Sequence, residues 1–323
     1  FDTGGLALGV ALAGDYAYVA DGPAGLLILG IQDPLNPAPV GNCDTDGQAR
    51  KVALSSGYAY VADDWAGLQV INVNNPAAPV RVGGYDSSGE THDVALSGIH
   101  AFLAEGSAGL QVLDVRDPAE PRPVGGCATG GIALGVAVSG NYAYVAAYDA
   151  GLRVIDIGIP AAPVAVRTLF EGQWVTGVTV SGRNLFVALG LRGLWACDLD
   201  SPATPRLVAA CTLDASGWAS RVALAEGFAY VADWQAGLQI IRVDDPSQAP
   251  VLQIDMASVG GTNGVRLTWP SVANRLYSLQ GVSDLRLPFA NLQEQLPPTP
   301  PQNEFWIPLP SPAAAAFYRV RVE

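Results

Sequence analysis

Residues 58–76 read YAYVADDWAGLQVINVNNP, and this stretch decides the fold. It holds two runs rich in aromatic and β-branched residues, which are typical of β-strands, separated by a short acidic turn. Ser56-Gly57 in front of it predicts a two-residue hairpin turn, and residues 75–79 behind it predict a proline-rich turn. The pattern predicts four antiparallel strands, over residues 51–54, 58–62, 68–73 and 80–85.

The same pattern occurs six times, with a step of 42, 42, 42, 42 and 44 residues. Three sets of markers keep this step: Val10, Val52, Val94, Val136, Val178 and Val222; Gly25-Leu26, Gly67-Leu68, Gly109-Leu110, Gly151-Leu152, Gly193-Leu194 and Gly237-Leu238; and Pro34, Pro76, Pro118, Pro160, Pro202 and Pro246. Four short strands in a repeat of this length are typical of a propeller blade. The sequence therefore predicts an all-β fold, a six-bladed β-propeller of four-stranded antiparallel blades.

The net charge of −13 excludes several classes of partner. Such a charge repels nucleic acid and anionic lipid, whereas cations, neutral glycans and basic protein surfaces remain possible partners. No uninterrupted apolar run is long enough to insert into a membrane. No signal peptide is visible, and the chain begins at Phe1, so we expect a processed or truncated product.

The third strands of repeats two, three and four carry a family resemblance. They read Gly67-LQVINVNN-Pro76, Gly109-LQVLDVRD-Pro118 and Gly151-LRVIDIGI-Pro160. With the preceding Tyr-Ala-Tyr-Val-Ala strands, they resemble LVIVD-repeat sequences over roughly residues 6 to 255. The fifth repeat departs most, because residues 189–192 replace the usual Asp-containing turn. The resemblance implies a secreted or cell-surface β-propeller with no enzyme activity and no catalytic residues to carry over.

The repeat markers end before residue 257, and a second domain is predicted beyond them. Strands are expected over residues 265–270, 276–280, 305–309 and 317–322. The early tryptophan and the late Tyr-Arg-Val resemble the small fibronectin-III-like sandwiches appended to secreted bacterial proteins. The sequence thus predicts a propeller over residues 1–256 and a small β-sandwich-like module over residues 257–323.

Two connections of every blade emerge at the same end, which we call the upper face: the turn from the second to the third strand, and the connection from the fourth strand to the next blade. The only length change among the repeats, two residues inserted before Val222, lies there beside Trp218. Loops on a rigid scaffold are where function usually lies. The predicted ligand site comprises Trp65, His92, Asp93, Tyr148, Trp174, Trp218, Arg221 and Trp234.

The chemistry of this set allows two interpretations. Aromatic side chains with carboxylates around a funnel suit a glycan or a protein ligand such as a cationic peptide. Alternatively, each turn Asp only caps its own backbone. His92-Asp93 is not accompanied by a nucleophile motif, so we predict no enzyme activity.

Metal and cofactor signals in the sequence are few. Asp44 and Asp46 have the spacing of the first ligands of a calcium loop, so they are the calcium candidates. The loop's final glutamate is missing, and an Asx turn explains the recurring acid more simply. With two histidines and no Cys-x-x-Cys pair, the sequence predicts no zinc site, and no other cofactor is expected.

Three of the four cysteines, Cys43, Cys127 and Cys211, fall in the predicted outermost strands of blades 1, 3 and 5. Such positions lie too far apart for disulfides with one another. Cys197 replaces a core aliphatic residue, so we expect a buried thiol there.

Six complete repeats can close a ring without borrowing a strand. Alternatively, the outer edge of the last blade, at residues 251–255, stays open. An open edge invites strand addition from another chain. The sequence therefore predicts a non-enzymatic, secreted or cell-surface binding scaffold for a glycan or protein ligand. The alternative is an extracellular self-assembling subunit of a filament or surface layer, held by strand-edge or C-terminal module contacts.

Overall fold

The computed structural model of the protein describes residues 1–87, 89–212, 217–225, 227–234 and 237–243, together with the backbone of six strands between residues 253 and 322. The chain divides into two compact units, Phe1–Val243 and Asp244–Glu323. Within the described residues there is no helix of the length and apolar character that a transmembrane segment needs.

Each repeat forms one antiparallel sheet whose strands lie in sequence order, with the first strands of neighbouring blades in contact around the centre. Blades 1 to 3 contain β1 (Gly9–Ala13), β2 (Tyr16–Ala20), β3 (Leu26–Gly30) and β4 (Ala38–Cys43); β5 (Lys51–Ser55), β6 (Tyr58–Ala62), β7 (Leu68–Asn72) and β8 (Val80–Tyr85); and β9 (Asp93–Ser97), β10 (His100–Glu105), β11 (Gly109–Asp114) and β12 (Arg122–Cys127).

Blades 4 and 5 repeat this arrangement, and the sixth blade has three described strands. They contain β13 (Gly135–Ser139), β14 (Tyr142–Ala146), β15 (Leu152–Asp156) and β16 (Val164–Leu169); β17 (Gly177–Ser181), β18 (Asn184–Ala188), β19 (Leu194–Asp198) and β20 (Arg206–Cys211); and β21 (Ala219–Ala225), β22 (Phe228–Asp233) and β23 (Gly237–Arg242). The predicted six-bladed propeller of four-stranded antiparallel blades is confirmed.

The second unit contains two three-stranded antiparallel sheets. One has the order β24 (Gln253–Val259), β25 (Thr262–Pro270), β28 (Gln302–Pro308), and the other has the order β27 (Ala290–Leu296), β26 (Tyr277–Val282), β29 (Phe317–Val322). The sequence predicts residues 253–255 at the edge of the sixth blade, but in the structure they belong to β24 and pair with β25. Ile254, for example, lies opposite Leu267 in one continuous register. The domain boundary after residue 256 and the likeness to fibronectin III stay predictions.

The core of the propeller lies between neighbouring blades. The second strand of each blade is an almost continuous apolar run because a blade packs on both of its faces. Between blades 1 and 2, for example, Leu26 and Ile28 of β3 pack with Val52 and Val61. Equivalent clusters join blades 2 to 3, 3 to 4, 4 to 5 and 5 to 6.

The junction between blade 6 and blade 1 differs from these five. Leu238 and Ile240 of blade 6 are 60% and 59% exposed, and Val10 of blade 1 is 56% exposed. Their counterparts at the other junctions, such as Leu68 and Val52, are buried. At the same junction Ala17, Val19 and Leu29 of blade 1 are buried, so the exposed apolar residues lie mainly on blade 6.

The four cysteines are free thiols. Cys43, Cys127 and Cys211 end the outermost strands β4, β12 and β20, as the repeat predicts. Cys197 on β19 is fully buried, and burial raises the pKa of its thiol to about 12. It therefore stays protonated and acts as a small apolar core residue, which confirms the expected buried thiol.

A glycine fixes how closely blades 2 and 3 approach each other. Every described pairing of third and fourth strands contains an irregularity; in blade 2 it lies after Val70, which pairs with Gly83. A Cβ atom at Gly83 would lie 2.6 Å from the carbonyl oxygen of Ala119 in blade 3, and closer still to that of Pro118. Since both neighbours are backbone atoms, a side chain at this position forces the two blades apart.

We predict that Gly83→Ala lowers the free energy of unfolding by about 1–3 kcal/mol, the usual cost of overpacking a closely packed site. Denaturant titration measures the change. Gly30→Ala is the control, because a Cβ there meets the Val40 side chain at 3.3 Å and a backbone oxygen at an ordinary contact distance of 3.8 Å, and it should change stability by less than about 1 kcal/mol. Equal effects of the two substitutions would contradict the proposed close approach.

Candidate binding face

The upper face is organised by one backbone contact that repeats around the ring. The second residue of each second-to-third turn forms an antiparallel bridge with the connection that enters the next blade. At the junction of blades 2 and 3, for example, Asp64 N donates to Thr91 O at 3.1 Å and Thr91 N donates to Asp64 O at 2.9 Å. The bridged pairs are Gly22–Ala49, Asp64–Thr91, Gly106–Ala133, Tyr148–Val175 and Gly190–Ala219.

The first residue of the turn is a buried acid in four blades: Asp21, Asp63, Glu105 and Asp233. Asp63 shows its role, because its carboxylate accepts hydrogen bonds from Thr45 Oγ1 at 2.7 Å and from Gly47 N at 2.9 Å. Burial raises the pKa of Asp63 to about 6 and that of Glu105 to about 7. Asp21, Asp63 and Asp233 hold the connection that enters their own blade against the turn, and all four acids lie buried beneath the face.

The central channel opens on this face between charged side chains. Arg221 of blade 6 and Asp93 of blade 3 meet across it, with Nη1 2.9 Å from Oδ2. Asp93 also accepts hydrogen bonds from the backbone N–H groups of Val94 and Val136, at 2.9 and 3.2 Å. The cavity of about 240 Å³ at this point is lined by the first strands of blades 2 to 6. The ion pair therefore crosses the channel mouth.

Arg221 also contacts the backbone beside Asp93. It donates a second hydrogen bond, from Nη2 to the backbone oxygen of His92 at 3.2 Å. The structure thus brings together three of the predicted site residues, His92, Asp93 and Arg221, although Arg221 lies 128 residues from Asp93 in the chain.

Three aromatic residues form a stacked row over blades 4 to 6. The rings of Tyr148 and Trp174 are nearly parallel, at 5° and a centroid distance of 6.0 Å. Those of Trp174 and Trp218 lie 5.3 Å apart at 29°. Trp174 remains 44% exposed, so the row is open to solvent. The three residues come from the bridged turn and from the connection beside it, the two segments that the backbone bridge holds together.

The junction of blades 2 and 3 carries polar residues instead. His92 is buried, and its Nε2 lies 3.5 Å from Glu90 Oε2. Asp64 is also buried, and its Oδ2 accepts hydrogen bonds from Nε and Nη2 of Arg50 at 2.9 and 2.6 Å. Ligand atoms of Asp64, Glu90 and His92 all lie within 4.8 Å of one another, so these three residues are close enough to hold a metal ion.

Burial and charge set the state of His92. Its pKa is lowered, first by burial and then by the positive charge of Arg50, whereas Asp64 and Glu90 act in the opposite direction and Arg221 adds to the lowering. The imidazole is therefore neutral at neutral pH, with a lone pair on one ring nitrogen.

Trp65 and the calcium candidates lie apart from these clusters, whereas Trp234 is joined to Trp218 through the backbone. Trp65 is 56% exposed and lines a separate cleft of about 700 Å³ beside Asp46 and Arg81 on blade 2. The carboxylate of Asp46 pairs with Arg81, and Asp44 is exposed. The calcium site at Asp44 and Asp46 stays a prediction. Trp234 is exposed, and its backbone N–H donates to the carbonyl of Trp218 at 3.2 Å.

The predicted ligand set lacks three residues of this face: Arg50, Asp64 and Glu90. A signal for Glu90 was available, because it occupies the same repeat position as Trp174 and Trp218 once the two-residue insertion is taken into account. Comparing variable residues position by position, rather than by residue type, would have identified it.

Comparison with known families gives a repeat match over residues 4–45, 46–87, 88–129, 130–169 and 216–254, which together make up more than half of the chain. The chain belongs to the LVIVD repeat family. The match omits residues 170–215, which hold most of blade 5, the repeat that departs most in sequence. No curated protein gives a significant match to this LVIVD-repeat chain.

Solved structures similar to this LVIVD-repeat protein share its fold at low sequence identity. A chain of the mitotic checkpoint complex is 15% identical, with a TM-score of 0.63 and coverage of 76% of this chain and 77% of that one. The Cps50 (Swd1) β-propeller domain of Myceliophteria thermophila is 12% identical, with a TM-score of 0.59 and coverage of 73% and 82%. The computationally designed Ika8 protein is 9% identical, with a TM-score of 0.57 and coverage of 82% and 83%.

We predict that Arg221→Met lowers the free energy of unfolding by about 3 kcal/mol, because it leaves the charge of Asp93 buried without its partner. Methionine retains the apolar part of the arginine side chain, so the change in the free energy of unfolding measures the loss of the ion pair. Arg122→Met is the control, since the Arg122–Glu120 pair is exposed and should contribute less than about 1 kcal/mol. Denaturant titration of both variants measures the difference, and similar losses would contradict a buried ion pair at the channel mouth.

Proposed function

We propose that the protein is a non-enzymatic binding module whose upper face holds a protein ligand through a cationic segment. The β-propeller fold of the LVIVD repeats is consistent with a binding or scaffold role. The observation that carries the proposal is the stacked row of Tyr148, Trp174 and Trp218, in which Trp174 is exposed and the other two are half-buried.

Aromatic side chains of this kind are suited to be anchors in an interface. Tryptophan and tyrosine dominate the binding energy of protein interfaces because they bury a large area at a small cost in side-chain entropy. The row is also fixed before a ligand arrives, since Tyr148 and Trp174 stack on each other and the bridge between Tyr148 and Val175 holds their backbones. A ligand therefore meets a preorganised surface.

The charge around the row favours a cation. Asp149 follows Tyr148 and Glu171 precedes Trp174 by three residues, and both acids are exposed. The carbonyl of Asp149 accepts a hydrogen bond from Gly172 N at 3.1 Å, which holds these two segments together. A guanidinium or ammonium group above an aromatic ring gains a cation–π interaction, and the overall charge of −13 steers basic partners towards the protein.

The geometry of His92 and Asp93 supports a role without catalysis. The carboxylate of Asp93 is occupied by Arg221 and by two backbone N–H groups, so it does not orient the His92 ring as a catalytic acid would. We also propose that the protein acts outside the cell or at its surface, as the family resemblance implies.

A short arginine-rich peptide and its glutamine counterpart test the proposed ligand class by calorimetry. We expect the arginine peptide alone to bind, and Trp174→Ala to weaken its affinity at least tenfold because the centre of the row is lost. Trp65→Ala is the matched control, an exposed tryptophan outside the row, and should leave the affinity unchanged.

Two outcomes would overturn the proposed ligand. Equal binding of the arginine and glutamine peptides would exclude recognition of a cation. Binding on a neutral glycan array that Trp174→Ala abolishes and Trp65→Ala preserves would assign the same row to a glycan.

A second candidate function, self-assembly, is supported by exposed apolar residues of blade 6. Leu238 and Ile240, together with Val10 of blade 1, are more than half exposed, and exposed apolar patches mark interaction sites in soluble proteins. The third strand of blade 6 therefore offers an apolar surface that a blade of another copy can cover. This heterologous contact adds copies in a row.

We predict that the protein forms oligomers whose mass increases with concentration, and that Leu238→Glu shifts them to monomers. Light scattering after size exclusion measures the mass. Ile159→Glu is the control, because Ile159 is a similarly exposed apolar residue on blade 4. A monomer at every concentration would contradict assembly through these blades.

A further inference from the structure

The junction of blades 2 and 3 brings together one imidazole and two carboxylates. Asp64 lies in the turn of blade 2, and Glu90 and His92 lie on either side of Thr91, to which Asp64 is bridged. Their ligand atoms all lie within 4.8 Å of one another. The equivalent positions elsewhere hold no such set: at the junction of blades 3 and 4, for example, they are Gly106, Ile132 and Leu134.

An oxygen of Asp64 gives an independent indication of a ligand. Asp64 is 3% exposed, and its Oδ1 is buried with no hydrogen-bond partner in the described part of the chain. The other oxygen, Oδ2, accepts both hydrogen bonds from Arg50. A buried carboxylate oxygen without a partner is costly. Other buried oxygens, such as Glu105 Oε1, also lack a hydrogen-bond partner there, but among the described residues only Asp64 has one beside a second carboxylate and an imidazole, where a bound ion can supply the missing contact.

The separation of the ligand atoms fits a small borderline cation. Zinc–nitrogen and zinc–oxygen bonds of about 2.0–2.1 Å place two tetrahedral ligand atoms about 3.3 Å apart. His92 Nε2 and Glu90 Oε2 are 3.5 Å apart, and the exposed Glu90 side chain can adjust to an ion. A set of one imidazole and two carboxylates suits zinc, cobalt or nickel better than calcium, which needs six to eight oxygen ligands.

We propose that Asp64, Glu90 and His92 form a binding site for a divalent transition-metal cation, with zinc as the preferred ion. The three side chains supply three ligands and leave the fourth position open towards the upper face, as in zinc sites that also hold a water or a ligand group. The neutral state of His92 at neutral pH is the form that binds a metal.

Nearby cations set the strength of this site. Arg50 shares the carboxylate of Asp64, and both Arg50 and Arg221 act on His92. A metal ion bound by Asp64 therefore competes with the positive charge of Arg50 for the same carboxylate. Removal of Arg50 therefore distinguishes two interpretations of these residues. It increases the affinity for a metal ion if they form a metal site, whereas it destabilises the cluster if they form only an ion-pair network.

Calorimetry with ZnCl₂ on the full chain, with cobalt absorption spectroscopy as a second readout, tests the proposal. We expect one equivalent of zinc to bind and the cobalt complex to show tetrahedral visible bands. His92→Ala and Glu90→Gln should each weaken zinc affinity at least tenfold. His100→Ala is the matched control, because His100 is the other histidine and lies on β10 outside the set; its affinity should equal that of the unchanged protein.

Arg50→Gln should bind zinc more tightly than the unchanged protein, provided that circular dichroism shows a folded variant. Glu90 is exposed and outside the core, so Glu90→Gln keeps the test valid even if the His92 variant fails to fold. The proposal is overturned if zinc does not bind stoichiometrically, or if binding persists in Glu90→Gln at the affinity of the unchanged protein. Equal losses in His92→Ala and His100→Ala would also overturn it.

Discussion

The backbone bridge described at five blade junctions is the constraint on which the upper face depends. It ties the turn of one blade to the connection entering the next, at the same repeat positions each time. The residues on either side of this bridge are therefore fixed in space whatever their chemistry. One junction carries Asp64, Glu90 and His92, and another carries Tyr148 and Trp174. The propeller supplies a constant frame, and function varies by substitution at a few positions of that frame.

The bridge also demands an unusual backbone conformation. The turn residue that forms it has a positive φ, between 45° and 58°, at all five junctions. Gly22, Gly106 and Gly190 adopt it without strain, whereas a non-glycine residue in this region costs about 1–2 kcal/mol. Asp64 and Tyr148 are the two exceptions, and each belongs to one of the two clusters of the face. Observed strain at both positions agrees with a functional role for their side chains.

Much of the fold and of the upper face could be predicted from the sequence, because the same sequence markers recur in six repeats. The strands, the blade order and the upper face follow from markers that recur in every copy, and the row of Tyr148, Trp174 and Trp218 lies within residues already selected there. The ion pair between Asp93 and Arg221 could not be predicted from the sequence. It joins first strands on opposite sides of the channel, and such a contact does not follow the six-fold repeat from which the fold was predicted. The pairing of β24 with β25 was missed for a related reason: residues 253–255 continue the repeat in sequence but pair with a partner outside it.

The exposed third strand of blade 6 has a consequence for how the molecule unfolds. In an array of repeats, stability is a sum of units and of nearest-neighbour interfaces, so the unit with the weakest interfaces loses structure first. Among the described residues, blade 6 shares its core cluster with blade 5, and the ion pair from Arg221 to Asp93 joins it to blade 3. Local unfolding of blade 6, opposed by this ion pair, is thus the first step of unfolding that the architecture favours.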